Sequence, residues 1–197
     1  DRIFDIDGDS IALGDGASIS SWLDGSGNGY DFTQAGGHGP AILRHGVANG
    51  HHAVQGAYNT SLVAPGLVRP NNTDPVTIYT VWAPGVIQSA NSFTYTWGTA
   101  VNSFSNNTDW QLWQAFGAGD SGYSKRSGSF DFDFPRPPLG DFIVTAFVFN
   151  PAGSGGPDDE QLRLYERGAK YAHIQQLSAV SMNSPMYLFG ANVGSPL

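Results

Sequence analysis

The carboxylates come first among the residues whose types and spacing could do chemistry. Asp131 and Asp133 stand two apart in "SFDFDF", residues 129–134. On an extended strand alternate residues share a face, so this pair would lie on one side with Cα atoms about 7 Å apart. Arg136 follows closely and could depress one of their pKa values. This is the best carboxylate pair in the chain for acid–base work on a glycosidic bond, which in retaining enzymes wants carboxyls roughly 5 Å apart. The same spacing also describes a half-exposed strand with an acidic outer face, because Phe130, Phe132 and Phe134 take the other side. The glutamates are Glu160 and Glu166, too far apart along a strand to act together.

Oxygen donors raise the question of a hard cation. In "SWLDGSGNGYDFTQ", residues 21–34, Asp24, Asn28 and Asp31 are separated by flexible glycines, and calcium is the metal such a set would suit. No bidentate Glu completes it. The competing reading is a turn. Trp22 then anchors the core, Asp24 caps the backbone, Gly25, Gly27 and Gly29 supply positive φ, and Ser26 with Asn28 satisfies local backbone groups. No Lys and no strand–loop–helix context follow, so this is not a phosphate loop. In "DIDGD", Asp5, Asp7 and Asp9 read as solvated acids on one face of an edge strand, with incomplete calcium-loop spacing. The histidines are His38, His45, His51, His52 and His173. They lack a His-x-x-x-His helix, and His51 and His52 would point to opposite faces of a strand, which disfavours a shared zinc. A serine triad lacks its Gly-x-Ser-x-Gly elbow in a strand-to-helix setting.

Aromatic and amide residues are the richer signal. Trp82, Tyr95, Trp97, Phe104, Trp110, Trp113, Phe116 and Tyr123 are interleaved with Asn91, Asn102, Asn106, Asn107, Asp109, Gln111 and Gln114. Sugars stack their CH faces on such rings, while amides and carboxylates read the hydroxyls. In "TDWQLWQAF", Trp110, Leu112, Gln114 and Phe116 share one strand face and Gln111, Trp113 and Ala115 the other. Trp113 therefore leaves the mainly apolar side. The candidate ligand-binding set is Trp97, Trp113, Gln111, Asn107, Asp109 and Tyr123. No catalytic set emerges, no cofactor is expected, and calcium is the one ion left open.

The elements that must position these residues are strands. Gly 26 and Pro 12 are spread along a chain of 197 residues and leave few windows for helix. "VTIYTVW" (76–82), "SFTYTW" (92–97), "SFDFDF", "FIVTAFVF" (142–149), "LRLYERG" (162–168) and "PMYLFGA" (185–191) are rich in β-branched and aromatic residues. The strand at 142–149 is apolar on both faces and is expected to be central and covered on both sides. The segment 151–160 reads as a hairpin tip. The pattern predicts an all-β, two-sheet antiparallel sandwich forming a single domain over 1–197.

The totals narrow the partners. Charged residues make up 13% of the chain, about half the usual share, and net charge is −8. There is no basic stripe for nucleic acid or anionic membrane, and no apolar run long enough to span a bilayer. Cysteine is absent, so disulfides and thiolate metal sites are excluded. Sequons begin at Asn59, Asn71 and Asn106, as chance allows in so amide-rich a chain. Composition favours a bacterial or viral source.

With these residues on the page, a resemblance can be stated. "GDGASISSWLDGSGNGYDFTQ" is similar to the opening of laminin-G-like domains of the concanavalin A-like superfamily, which are found in phage tail and bacterial surface proteins. Those domains open with an acid–glycine turn, Trp-x-Asp, Ser-Gly-Asn-Gly and a Gln. "GPAILRHGVANGHHAVQG" resembles the next segment, with Gln55 where the family's Phe often stands. "TIYTVW", "FIVTAFVFN", "LRLYERG" and "MYLFGAN" follow in the family's order, so the resemblance covers nearly the whole chain. It implies a jelly roll, a virion, extracellular or cell-surface setting, and a glycan or host-surface receptor as partner, with homo-oligomers formed through flanking regions. The Glu-x-Asp-x-x-Glu strand of the superfamily's glucanases is missing, and "HIQ" at 173–175 reverses the Gln-x-His of its lyases. A non-catalytic recognition module is therefore expected. The alternatives are a structural or protein–protein module and a glycan-degrading enzyme.

Overall fold

The computed structural model describes residues 2–56, 60–68, 75–83, 92–97, 110–114, 121–126, 130–135, 140–150, 160–174 and 185–189. After a 3-10 turn at Gly8–Ser10 the strands are β1 (Ser18–Ile19), β2 (Ser21–Trp22), β3 (Phe32–Gln34), β4 (Ala41–Ala48) and β5 (His51–Gln55). Next come β6 (Leu62–Val68), β7 (Val76–Trp82), β8 (Ser92–Trp97), β9 (Trp110–Gln114) and β10 (Ser121–Arg126). The last are β11 (Phe130–Pro135), β12 (Ile143–Phe149), β13 (Leu162–Glu166), β14 (Ala169–Ile174) and β15 (Pro185–Leu188). No α-helix occurs among the described residues.

The architecture is all-β and sandwich-like. The strands form three antiparallel sheets where the sequence pattern led us to expect two. An eight-stranded sheet runs β11-β10-β9-β8-β15-β6-β3-β2, a four-stranded sheet β14-β13-β12-β7, and a three-stranded sheet β1-β4-β5. Buried residues of all three join one hydrophobic cluster. Ile19, Leu43, Phe32, Leu62, Leu67, Ile143 and Phe147 are its most completely buried large side chains. Each such side chain taken out of water stabilises the fold by roughly 1.5–3 kcal/mol.

Local chemistry explains most of the geometry. The β4–β5 hairpin closes on Asn49 (φ 52°) and Gly50 (φ 89°), two consecutive positive φ angles, which match the right-handed twist of the strands they join. Arg167 (φ 49°) and Gly168 (φ 83°) close β13–β14 in the same way. Pro65 and Gly66 lie within β6 where its pairing with β15 shifts register, since proline has no N–H to give the ladder. Met186 of β15 faces Ala64, yet its neighbour Pro185 faces Val68, so the strand bulges between them.

Two sequence expectations are corrected here. The acids Asp5, Asp7 and Asp9 do not lie on a strand. Asp7 caps the 3-10 turn by accepting the Asp9 N–H at 3.0 Å, a local bond that competes with extended backbone. Strand β12 is central, between β13 and β7, but it is not covered on both sides. Val144 is 48% exposed, as are Tyr79 (75%) and Val81 (63%) on the neighbouring strand.

Candidate functional site

Residues that pair across an antiparallel sheet share a face, so the register of the eight-stranded sheet sorts its residues into two sides. One continuous row crosses all its strands: Ser21, Thr33, Val63, Tyr187, Thr96, Gln111, Lys125, Asp131. Along it Ser21 and Thr33 are exposed, Val63 is half-buried and Tyr187 is buried. The adjacent row, Gln34, Leu62, Leu188, Tyr95, Leu112, Ser124, Phe132, contains the core members Leu62 and Leu188.

A further row lies two residues along from Gln111. It runs Phe93, Trp113, Tyr123, Asp133. Strand spacing and rise put the two rows about 7 Å apart and their successive residues about 5 Å apart. Register thus puts Gln111, Lys125 and Asp131 in one row across β9–β11 and Trp113, Tyr123 and Asp133 in another, with Asp131 and Asp133 two apart on one strand.

Of the residues singled out by sequence, Gln111, Trp113 and Tyr123 stand in these two rows, and Trp97 stands in register with Trp110 and Met186. Asn107 and Asp109 lie outside the described residues. Lys125 was missed by the sequence reading. Its signal was present: in "SGYSKR" Tyr123 and Lys125 alternate with small residues, but glycine and serine disguised the strand.

The glycine-rich stretch near the N-terminus is a built turn. One Asp24 oxygen accepts from the backbone N–H groups of Asp5 (2.8 Å) and Ser26 (2.9 Å). The other accepts from the Ser26 hydroxyl (2.7 Å) and the Tyr30 N–H (3.1 Å). Burial pushes the Asp24 pKa up, but these bonds outweigh it and hold the carboxyl below its ordinary value. Asp31 accepts the Asp24 N–H (2.8 Å), and the Asn28 amide donates to the carbonyls of Arg2 (3.0 Å) and Ile3 (2.9 Å). Gly27 and Gly29 carry positive φ, Gly25 does not, and Trp22 is buried with its indole N–H donating to the Asp7 carbonyl (3.0 Å). Of the residues nominated for calcium, Asp24 through a carboxylate oxygen and Asn28 through its amide NH₂ thus hold the N-terminal strap of residues 2–5, while Asp31 caps the turn itself.

Asp9 links the strap to β5. Its carboxylate meets His51 Nδ1 (2.6 Å) and accepts the His52 N–H (2.6 Å), with His52 Nδ1 at 3.8 Å. The His52 backbone bond, then the His51 side chain, lower the Asp9 pKa. The same side-chain bond raises that of His51. The His52 ring stacks on His45 at 3.9 Å between centroids. His45 donates from Nε2 to the Leu13 carbonyl (2.9 Å), and its N–H reaches Asp15 (3.0 Å). Among the described residues no group of three or more His, Asp or Glu is arranged to hold a metal ion. Glu160, 4% exposed, pairs with Lys170 at 2.5 Å and serves the core.

The four-stranded sheet exposes Tyr79, Val81 and Val144: Val81 pairs with Val144, and Tyr79 stands in register with Ala146, which is buried, and through it with the half-buried Tyr165. Sequence reasoning missed this exposure, since a strand apolar on both faces looks identical whether or not its outer side is covered.

No family model, curated protein or solved structure matches this chain.

Proposed function

We propose that the chain is a non-catalytic recognition module that adsorbs to a cell-surface glycan through strands β8–β11. The resemblance to laminin-G-like domains supplies the remainder of the reading. The fold is a concanavalin A-like jelly roll, and the setting is a phage tail, virion or bacterial surface protein. Homo-oligomerisation through flanking regions multiplies a weak contact. The observation that supports the proposal is the register of β9 and β10, in which Gln111 and Trp113 stand two apart on one strand and Trp113 pairs with Tyr123. Ring faces there offer stacking, and amide and carboxylate groups offer hydrogen bonds, without the basic charge that phosphate ligands demand. The Asp131–Asp133 arrangement, side by side on one strand, does not support the opposed carboxyl pair of a glycosidase.

A glycan array probed with the wild-type chain and with the double variant Gln111→Ala/Tyr123→Ala tests this reading. Selective binding by the wild type and its loss in the folded variant are expected. A blank array with folded wild-type protein overturns it. A second reading, a structural or protein–protein module, is favoured by one observation: the exposed strip of Tyr79, Val81 and Val144. A reducing-sugar or unsaturated-product assay on bacterial polysaccharides addresses the enzymatic alternative, for which no turnover is expected.

A further inference from the structure

We infer that the tip of the β4–β5 hairpin is a self-modification site, where Asn49 converts spontaneously to aspartate and isoaspartate and loosens the hairpin's hold on the N-terminal strap. The site is independent of the glycan reading above. The chain has two Asn-Gly pairs, at 28–29 and 49–50. Both are exposed, so access does not separate them. Their anchoring does. The Asn28 NH₂ donates to the carbonyls of Arg2 (3.0 Å) and Ile3 (2.9 Å), which ties down the amide that would have to swing and depart. Among the described residues no hydrogen bond holds the Asn49 side chain. The tip itself is lightly fastened. Pairing of β4 with β5 runs to Arg44 and Ala53, then shifts register, and Ala48 with His51 is the pair that closes the turn beyond the shift. Opening that pair frees Asn49 and Gly50 to rotate, and local openings of this kind cost far less than global unfolding.

The chemistry needs only water. Hydroxide removes the Gly50 amide proton, and that nitrogen, unhindered because glycine has no Cβ, attacks Asn49 Cγ. The N–Cγ bond forms as the Cγ–Nδ2 bond breaks. The nitrogen leaves with the electron pair, takes a proton from water and departs as ammonia, which regenerates hydroxide. Water then opens the succinimide ring. Attack at Cγ gives aspartate, and attack at the main-chain carbonyl gives isoaspartate, whose backbone runs through the former side chain and gains an atom. A two-residue turn with positive φ at both positions has no slack for that atom. The pairing of Ala48 with His51 is lost, and with it the placement of His51 Nδ1 and the His52 N–H, each 2.6 Å from the Asp9 carboxylate that ties the strap to β5.

The test incubates the wild-type chain at neutral and mildly alkaline pH, folded and in urea. Peptide mapping by mass spectrometry, with enzymatic methylation of isoaspartate, follows both pairs. In urea the two should convert at similar rates. In the folded protein Asn28 should fall behind Asn49 by about tenfold or more, since two hydrogen bonds must break before it reacts. Conversion at Asn49 should rise with pH. The aged wild type should melt below the fresh protein, whereas aged Asn49→Gly, which keeps the turn's positive φ and has no amide to lose, should melt as it did when fresh. Should that variant fail to fold, the map of the folded wild type decides without it. A folded wild type in which Asn49 stays intact, or converts no faster than Asn28, overturns the inference. Full conversion at Asn49 with an unchanged melting curve overturns the claimed loosening.

Discussion

Asp24→Ala should cost this protein about 3 kcal/mol of stability without touching the proposed binding face. The carboxylate accepts four hydrogen bonds, three from backbone N–H groups and one from the Ser26 hydroxyl. Each bond to a charged acceptor contributes about 1.5–3 kcal/mol, but the four share one group and the freed donors partly regain water, so their sum is an overestimate. Asp24→Asn keeps one acceptor oxygen and turns an NH₂ toward two donors, for a cost of about half as much. In a domain of this size, 3 kcal/mol lowers the melting temperature by roughly 6–12 °C. The pH dependence has a definite sign. The folded pKa is depressed below 3.8, so the contribution is fully present above that value and is lost as pH falls through the folded pKa. Asp24→Asn should therefore flatten part of the acid limb of the stability curve. Thermal and urea melts across acid to neutral pH measure both effects. A loss below about 0.5 kcal/mol in Asp24→Ala refutes the reasoning. Calcium that stabilises the wild type but not Asp24→Asn would refute it as well, because the oxygens would then be ligands before they are caps.

Three further outcomes are expected. Gly8→Ala should destabilise by about 1–3 kcal/mol in urea melts, since a Cβ there would meet the His52 carbonyl oxygen at 2.5 Å, a backbone atom that cannot swing aside. The His51 ring should titrate by NMR above 6.5, and Asp9→Asn should return it toward that value; the pair's support is present below 6.5, fades as pH rises through the folded His51 pKa, and is lost at the acid end as Asp9 protonates. Tyr79→Ser, at a position 75% exposed, should shift stability by less than about 1 kcal/mol, and sedimentation should show whether it changes any self-association.

Strands with dense β-branched and aromatic content were legible from the residues alone. "VTIYTVW" and "SFTYTW" became β7 and β8 at the expected limits, and "FIVTAFVF" became β12 shortened by one residue. The Asp24 turn was legible because Asp, Ser and Asn bond locally, within a few residues. What failed depended on distant partners. Strand β6 hid behind Pro65 and Gly66, whose bulge is set by β15, more than a hundred residues away. Asp9 is exposed as expected, but its partners His51 and His52 arrive from another hairpin and left no local sign. Alternation separated Trp110 from Trp113, but their register against β8 and β10 came from strands far along the chain. The same pairing chain joined Gln111 and Trp113 to Tyr123, Lys125 and the two aspartates.

The most direct test of the central claim is the binding isotherm of Trp113→Ala for an array hit, with its melting curve recorded beside that of the wild type. The account predicts that Trp113→Ala stays folded and loses the glycan. A folded Trp113→Ala that binds with undiminished affinity would contradict it.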